Sequence, residues 1–351
     1  MTKNNLDTVP LRFFIGANTA RGFVNYADDV FNGLRKLYIL KGGPGTGKST
    51  WMKRAADKAE RAGFPVERYY CSSDSDSLDG IVIRDLGIGM TDGTAPHVRE
   101  AVYPGAREEL LDPGLAWDAE RLEERLEEIK TLSDRKAALF TAVYRYLGAI
   151  AALRAEAEPC RLSCFDAEKA EAAAGRWIRR LGTGNGFSLV PRQIGSVGMN
   201  GRVVLDTYTA LAGETWTVSD SRGLAGRILR LLIGSAGEAG LAVWISRDPF
   251  GEPEALYFPE KRVAVTVGQP SPGGADKIIN AERFVKKEAL AAVRGKLRFL
   301  ARLEAEMGKR VGELFGEIRK THFEIEAIYR EAMDFQKLDR MINRFLSERI
   351  P

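Results

Sequence analysis

Two kinds of apolar pattern run along the chain, and each occurs twice. Short unbroken runs such as Leu37-Tyr38-Ile39-Leu40 predict strands buried on both faces, while long stretches with an apolar residue every seven positions predict helices carrying a seam. Leu11 to Tyr26 reads as a strand and a hairpin-like turn broken at Gly16 and Gly22, and Asp28 to Arg35 as a short helix. Ser49 to Ala62 has helical spacing and stops at Gly63, with Pro65 beyond. Val66 to Tyr70, Ile81 to Ile83 and Leu86 to Met90 are the next apolar runs. Their alternation with helical segments predicts an α/β sheet of parallel character. From Trp117 the period changes. Leu122, Ile129, Val143 and Ile150 share one seven-residue register, interrupted at Lys136, and Leu126, Phe140 and Leu147 share a companion register interrupted at Ser133. Pro159 is expected to end or kink this helix, and Phe165 to Leu181 to pack back on it as a hairpin.

The second half repeats the order of the first. Arg12 to Ala20 aligns with Arg202 to Ala210, Ala62 to Val66 with Ala239 to Val243, Ile88 to Thr91 with Val263 to Thr266, and Pro104-Gly105 with Pro272-Gly273. A second heptad helix follows through Val293, Leu300, Met307, Leu314 and Ile328, and Phe165 matches Phe335. The offset falls from about 190 to about 177, so roughly 13 residues are expected to be missing from copy two, on the strand and loop that correspond to residues 37–49. Leu224-Ala225-Gly226 then stands where Gly47-Lys48-Ser49 stands. The expected organisation is a first half over 1–182, with an α/β core at about 10–105 and a helical hairpin at about 106–181. A glycine-rich linker over 183–201 separates it from a second half over 202–351, with its core at about 202–272 and its hairpin at about 276–349.

Composition narrows the class only modestly. A net charge of +4 spread over 351 residues does not argue for nucleic acid, and the basic, aromatic Arg176 to Arg180 reads as a solvated helix face. Cys71, Cys160 and Cys164 fit neither a disulfide framework nor a zinc site. No signal peptide is legible and no stretch approaches the roughly 18 apolar residues of a spanning helix, so a cytoplasmic protein without a membrane partner is expected.

The chemistry is concentrated between Leu40 and Thr50. Gly42-Gly43-Pro44-Gly45-Thr46-Gly47-Lys48-Ser49-Thr50 has the spacing G-x-x-x-x-G-K-S/T and joins a buried strand to a helix. Glycines let backbone N–H groups close on phosphate oxygens, and the helix adds its positive N-terminus. Lys48 is expected at the β/γ-phosphates and Ser49 on Mg²⁺, with Thr50 as a further phosphate contact. ATP or another nucleoside triphosphate, with Mg²⁺, is therefore the expected ligand. A second metal carboxylate belongs at the end of a neighbouring strand, where Asp92 stands, and the alternative is an Asp-Gly turn. The residue directly after Asp92 is Gly93, so no carboxylate stands there to polarise water. His97, one of two histidines, is the candidate for orienting water, and the alternative is a turn histidine without a role. Asp74, Asp76 and Asp79 form an acidic loop suited to metal or to an acceptor hydroxyl, or simply to solvent. Arg99 and Arg107 are candidate phosphate clamps.

These residues resemble the P-loop NTPase superfamily. Cys71 to Gly80 (CSSDSDSLDG), Asp92 to His97 (DGTAPH) and the duplication together resemble a bacterial family of uncharacterised ATPase-like proteins built from two tandem P-loop halves. The resemblance implies ATP binding and hydrolysis and supplies no substrate; the second P-loop is lost here. Three readings stand: an ATPase whose nucleotide state moves the helical hairpins, a small-molecule or nucleotide kinase, and a non-hydrolysing nucleotide-binding scaffold. Self-association or a protein partner is expected to engage the hairpins.

Overall fold

A computed structural model describes residues 9–95, 98–269 and 275–351. The protein is mixed α/β, with two six-stranded sheets that each contain parallel and antiparallel pairs. The first half supplies β1 (Leu11–Phe14), a hairpin of β2 (Gly16–Thr19) and β3 (Gly22–Asn25), α1 (Ala27–Phe31), β4 (Lys36–Leu40) and α2 (Lys48–Arg61). Then follow β5 (Glu67–Tyr70), β6 (Leu78–Ile83), β7 (Ile88–Asp92), β8 (Glu108–Leu111), α3 (Ala119–Glu124), α4 (Leu126–Cys164) and α5 (Ala167–Leu181). The second half supplies β9 (Ser188–Pro191), a hairpin of β10 (Gly195–Gly198) and β11 (Gly201–Val204), α6 (Thr207–Leu211), β12 (Glu214–Ser219) and α7 (Ala225–Glu238). It ends with β13 (Ala242–Arg247), β14 (Pro253–Phe258), β15 (Val263–Val267), β16 (Lys277–Asn280), α8 (Lys287–Glu331) and α9 (Phe335–Arg349).

The sheets follow one wiring. One runs β1-β5-β6-β7-β4-β8, and the other, read from β9, runs β9-β13-β14-β15-β12-β16. In the first sheet β6 is antiparallel to both neighbours, a departure from the parallel sheet expected, because a short loop and not a crossover helix joins it to β5. Leu37, Ile39 and Leu40 of β4 are fully buried, as their unbroken apolar run requires. The two sheets meet through α1 and α6 in a core that includes Phe13, Phe31 and Leu37 from one half and Tyr208, Leu211 and Tyr257 from the other. Beside it, Glu67 accepts hydrogen bonds from Arg84 of its own half (2.7 and 2.8 Å), from Tyr69 (2.7 Å) and, across the junction, from Arg192 (3.1 Å). Against burial, which alone would raise it, the arginine partners hold the Glu67 carboxyl below the usual carboxylate range.

Several expectations from the sequence are corrected. The glycine-rich stretch 183–201 contains β9 and β10 and is no linker. β9 pairs in parallel with β13, and a Cβ at Gly198 would lie 2.5 Å from the Ser72 carbonyl oxygen, so this glycine permits close packing. The counterpart of β1 is β9 and that of the β2–β3 hairpin is β10–β11, so the alignment of residues 12–20 with 202–210 is off by one element. The gap of about 13 residues disappears with it, since β12 and α7 are both present. Ala225 does open α7 as Lys48 opens α2. Phe165 bridges to Val285, while Phe335 is the first residue of α9, so these two do not match. The proposed Pro272-Gly273 match lies outside the described residues.

The helical hairpins are also absent in the form expected. The long helices α4 and α8 pair with each other, around a core that includes Val143, Leu147, Ile150, Val311, Leu314 and Ile318. α4 runs through Pro159 without ending there. Each terminal helix then caps the sheet of the other half. α5 contributes Ala170, Ala173, Ala174 and Ile178 to the second half's core, and α9 contributes Leu338, Ile342, Phe345 and Leu346 to the first half's. Main-chain bonds fix both crossings: Asp118 N–H to the Ala332 carbonyl and Asp334 N–H to that of Ala116 (both 2.7 Å), with Asp166 N–H to Phe284 and Lys286 N–H to Cys164 (both 2.8 Å) at the other end. α4 also contains an 18-residue window that meets the length and composition of a spanning helix, at a mean hydropathy of 1.2, with 17% of the window buried. The alanines around its seam raise that value, and the sequence expectation of no such stretch is corrected accordingly.

Phe345 of α9 stands edge-on to Tyr38 (4.8 Å between centroids) and Trp51 (5.7 Å) of the first half. Phe345→Ala should cost about 3–5 kcal/mol. Hydrogen exchange should show the lost protection in β4 and α2; loss confined to β12 and α7 would contradict the exchange of terminal helices.

Candidate functional site

β4 ends at Leu40 and delivers the chain into the glycine loop, Gly42 to Gly47, at the carboxyl edge of the first sheet. Gly45 (φ +72°) and Gly47 (φ +83°) adopt left-handed backbone that other residues resist, and Gly47 is the N-cap of α2. No side chain caps this helix, whereas Asp118, Asp166 and Asp334 cap α3, α5 and α9. The first N–H groups of α2 thus face the loop without a built-in anion.

Lys48 Nζ folds back onto the loop, donating to the carbonyls of Gly42 (2.5 Å) and Gly43 (2.7 Å). It lies 3.5 Å from Asp92 Oδ2, on the last residue of β7, which pairs in parallel with β4. Burial pushes the Asp92 carboxyl up, Lys48 opposes that, and nearby Asp79 adds to it. Ser49 Oγ accepts from Leu78 N–H (2.9 Å), beside buried Asp79. Lys48 and Asp92 thus meet directly, Asp79 lies close enough for its charge to act on Asp92, and Ser49 is bonded to the residue before Asp79: a cation, a hydroxyl and two carboxylates in one neighbourhood, groups that suit an oxygen-loving divalent ion next to an anion.

Thr94 was not singled out in the sequence, and it ties the site together. Its N–H donates to Asp92 Oδ1 (2.8 Å), its hydroxyl donates to the Gly42 carbonyl (3.0 Å), and its oxygen lies 3.2 Å from Gly42 N–H. The Asp-Gly-Thr turn at the strand end is the signal that could have found it. Thr46 Oγ1 donates to the Gly43 carbonyl (2.8 Å), so it stiffens the loop. Pro44 and Thr50 lie in the loop and in the first turn of α2. His97 lies outside the described residues. Arg99 pairs with Asp28 (3.0 Å) and Arg107 donates to the carbonyls of Leu34 and Phe31 (3.2 and 3.0 Å).

The acidic loop is tied to the second half. Met199 N–H donates to the Ser73 carbonyl (2.8 Å), and Asn200 Nδ2 to Ser75 Oγ (2.9 Å) and Asp76 Oδ2 (3.3 Å). Asp74 accepts from Ser77 Oγ (2.6 Å). The second half also covers the glycine loop, which no sequence pattern predicted. A Cβ on Gly43 would lie 2.7 Å from the Tyr329 ring, one on Gly45 2.7 Å from Glu326 Cγ, and one on Gly47 2.5 Å from Leu338.

The corresponding place in the second half is built differently. Between β12 and α7, Asp220 Oδ2 accepts from Leu224 N–H (2.6 Å) and Ala225 N–H (2.7 Å), and Oδ1 from Arg222 N–H (2.7 Å). A carboxylate of the chain thus occupies the N-terminus of α7. A cavity of about 640 Å³ opens nearby, with Arg154, Arg161, Asp220, Phe250 and Glu304 in its wall. Arg154 bonds Asp248 (2.8 Å) and Glu304 (2.5 and 2.8 Å) and stacks on Phe250 (3.8 Å).

No known protein-family model, curated protein or solved structure matches the chain.

Asp92 is an acid whose folded pKa is raised, so its contribution to stability is greatest at low pH and is lost as pH rises through the raised value. Asp92→Asn should therefore raise the melting temperature of the ligand-free protein at neutral pH by about 2 °C. A lower melting temperature would show that the Lys48 contact outweighs the burial of the charge.

Proposed function

We propose that this chain is a P-loop nucleoside triphosphatase of two tandem halves related by duplication, with one Mg·ATP site in the first half. The observation that carries this reading is the meeting of Lys48 and Asp92, 3.5 Å apart at the carboxyl ends of paired strands, beneath a helix N-terminus that no side chain caps. The shared wiring of the two sheets supports duplication. The carboxylate of Asp220 at α7 supports a single site, because it satisfies the N–H groups that a phosphate would need.

Each residue has a role in this reading. The backbone of Gly42 to Gly47 and the first turn of α2 bind phosphate oxygens, and Lys48 exchanges its two carbonyl partners for the β/γ-phosphates. Ser49 and Asp92 hold Mg²⁺, with Asp79 next to them and Thr94 fixing the Asp92 rotamer. When bound there, Mg²⁺ would neutralise charge on the phosphates. α8 and α9, packed on the loop, link its occupancy to the long helices.

Phosphate release from Mg·ATP by the purified protein tests the reading. Lys48→Ala should lower it at least 100-fold, in line with the loss of one strong transition-state contact. Turnover that survives Lys48→Ala would remove the site from the reaction, and phosphate arriving on a metabolite would make the protein a kinase.

A further inference from the structure

We infer that Lys136 and His322, one from each strand of the α4–α8 pair, contact the outermost phosphate of a nucleoside triphosphate held at the glycine loop. The inference rests on the nucleotide reading above and extends it: the long helices carry the groups that distinguish triphosphate from diphosphate.

The first observation is placement. His322, Glu326 and Tyr329 are spaced to lie on one face of α8. Glu326 and Tyr329 already meet the backbone of Gly45 and Gly43. His322, about one turn further along that face, is close enough to Lys136, Asp74 and Lys48 for their charges to act on it. Lys136 in turn is acted on by Lys48. Two lysines and a histidine from three elements therefore lie within electrostatic reach of one another beside the loop, with Asp74 the acid among the charges acting on His322.

The second observation is the contrast with the other half. His322 stands 12 residues before the capping Asp334, as Arg154 stands 12 before the capping Asp166. Lys136 stands 18 residues after Asp118, as Glu304 stands 18 after Lys286, the residues whose N–H groups make the reciprocal crossings. In the second half this pair of positions is an ion pair, Arg154 with Glu304, closed further by Asp248. That cluster supplies its own counter-charges. In the first half the same positions hold two basic residues, and among the described residues neither forms an ion pair; Asp74 is the one acid whose charge acts on His322. An anion from outside completes the pattern, and the terminal phosphate is the part of a nucleotide that reaches furthest from the base.

The third observation is the cost of these residues where they stand. Lys136 interrupts the apolar register of α4, and next to His322 the hydroxyl of fully buried Thr321 has no hydrogen-bond partner. Polar groups in a helical seam reduce its stability. Burial, with Lys136 and Lys48, pushes the His322 imidazole down, and burial with Lys48 pushes the Lys136 amine down. Contact with a phosphate would relieve this crowding of positive charge.

The experiment is calorimetric titration of the full chain with a non-hydrolysable Mg·ATP analogue and with Mg·ADP, for wild type, Lys136→Met, His322→Ala and His322→Gln. A charge-assisted contact corresponds to about a tenfold or larger change in affinity. Lys136→Met and His322→Ala should each weaken the triphosphate analogue about tenfold or more and leave ADP within about twofold, while His322→Gln, which keeps a donor, should recover part of the loss. Lys136→Met keeps the seam filled, so its melting temperature without nucleotide should match or exceed that of wild type, which separates lost recognition from lost folding. Wild type that binds both nucleotides, with variants that keep its full triphosphate preference or lose both affinities equally, overturns this inference alone. Wild type that binds neither nucleotide overturns the nucleotide reading and this inference together.

Discussion

The structure depends on how the two halves cross. Four main-chain hydrogen bonds, from Asp118, Asp334, Asp166 and Lys286, fix the points where each long helix leaves one half and its terminal helix enters the other. These donors lie at the starts of helices, where N–H groups lack partners within the helix. Once the crossings are set, α4 and α8 must run antiparallel, α5 must cover the second sheet and α9 the first. The ends of the coiled pair are defined by the crossings, and contacts such as Arg154 with Asp248 and Tyr144 with Asn18 hold its middle to the sheets.

That geometry places the second half over the first half's glycine loop. Tyr329, Glu326 and Leu338 pack where a Cβ on a loop glycine would collide. Gly45 and Gly47 are therefore explained twice, by their left-handed backbone and by the helices lying on them, and Gly43 by the packing of Tyr329. The Glu67 cluster adds a charged junction between the halves, with Arg84 from one side and Arg192 from the other. Such a junction restricts the halves to one register, because displacing either arginine would leave a buried carboxylate without its partner.

Much of the local structure was legible in the sequence. The unbroken run at Leu37, the glycine spacing and the Gly63 stop identify β4, the loop and α2 almost to the residue, because burial on both faces and left-handed backbone leave few other choices. Asp92 was legible from its position at a strand end. The partners of the long helices were not legible. A heptad register states that a helix has a seam but not what fills it, and Pro159, expected to end or kink the helix, lies inside α4. The stretch 183–201 misled because glycine marks close packing as well as flexibility, and composition alone does not separate the two. That error shifted the alignment of the halves by one element and created a gap that the sheets do not contain. Thr94 was legible only in part: its turn after Asp92 can be read locally, but its bonds to Gly42 appear only when distant segments meet.

The exchange of terminal helices also bears on how the chain is made. Synthesis delivers the first sheet, its glycine loop and α2 long before α9 exists, so one face of α2 waits for a 15-residue helix that begins at Phe335. The second sheet, in contrast, finds α5 already synthesised. The chain therefore completes its halves in the reverse of the order in which it writes them, and the loop with the most chemistry is the last part to receive its cover. A stalled or shortened chain would hold a finished second half and an open first one.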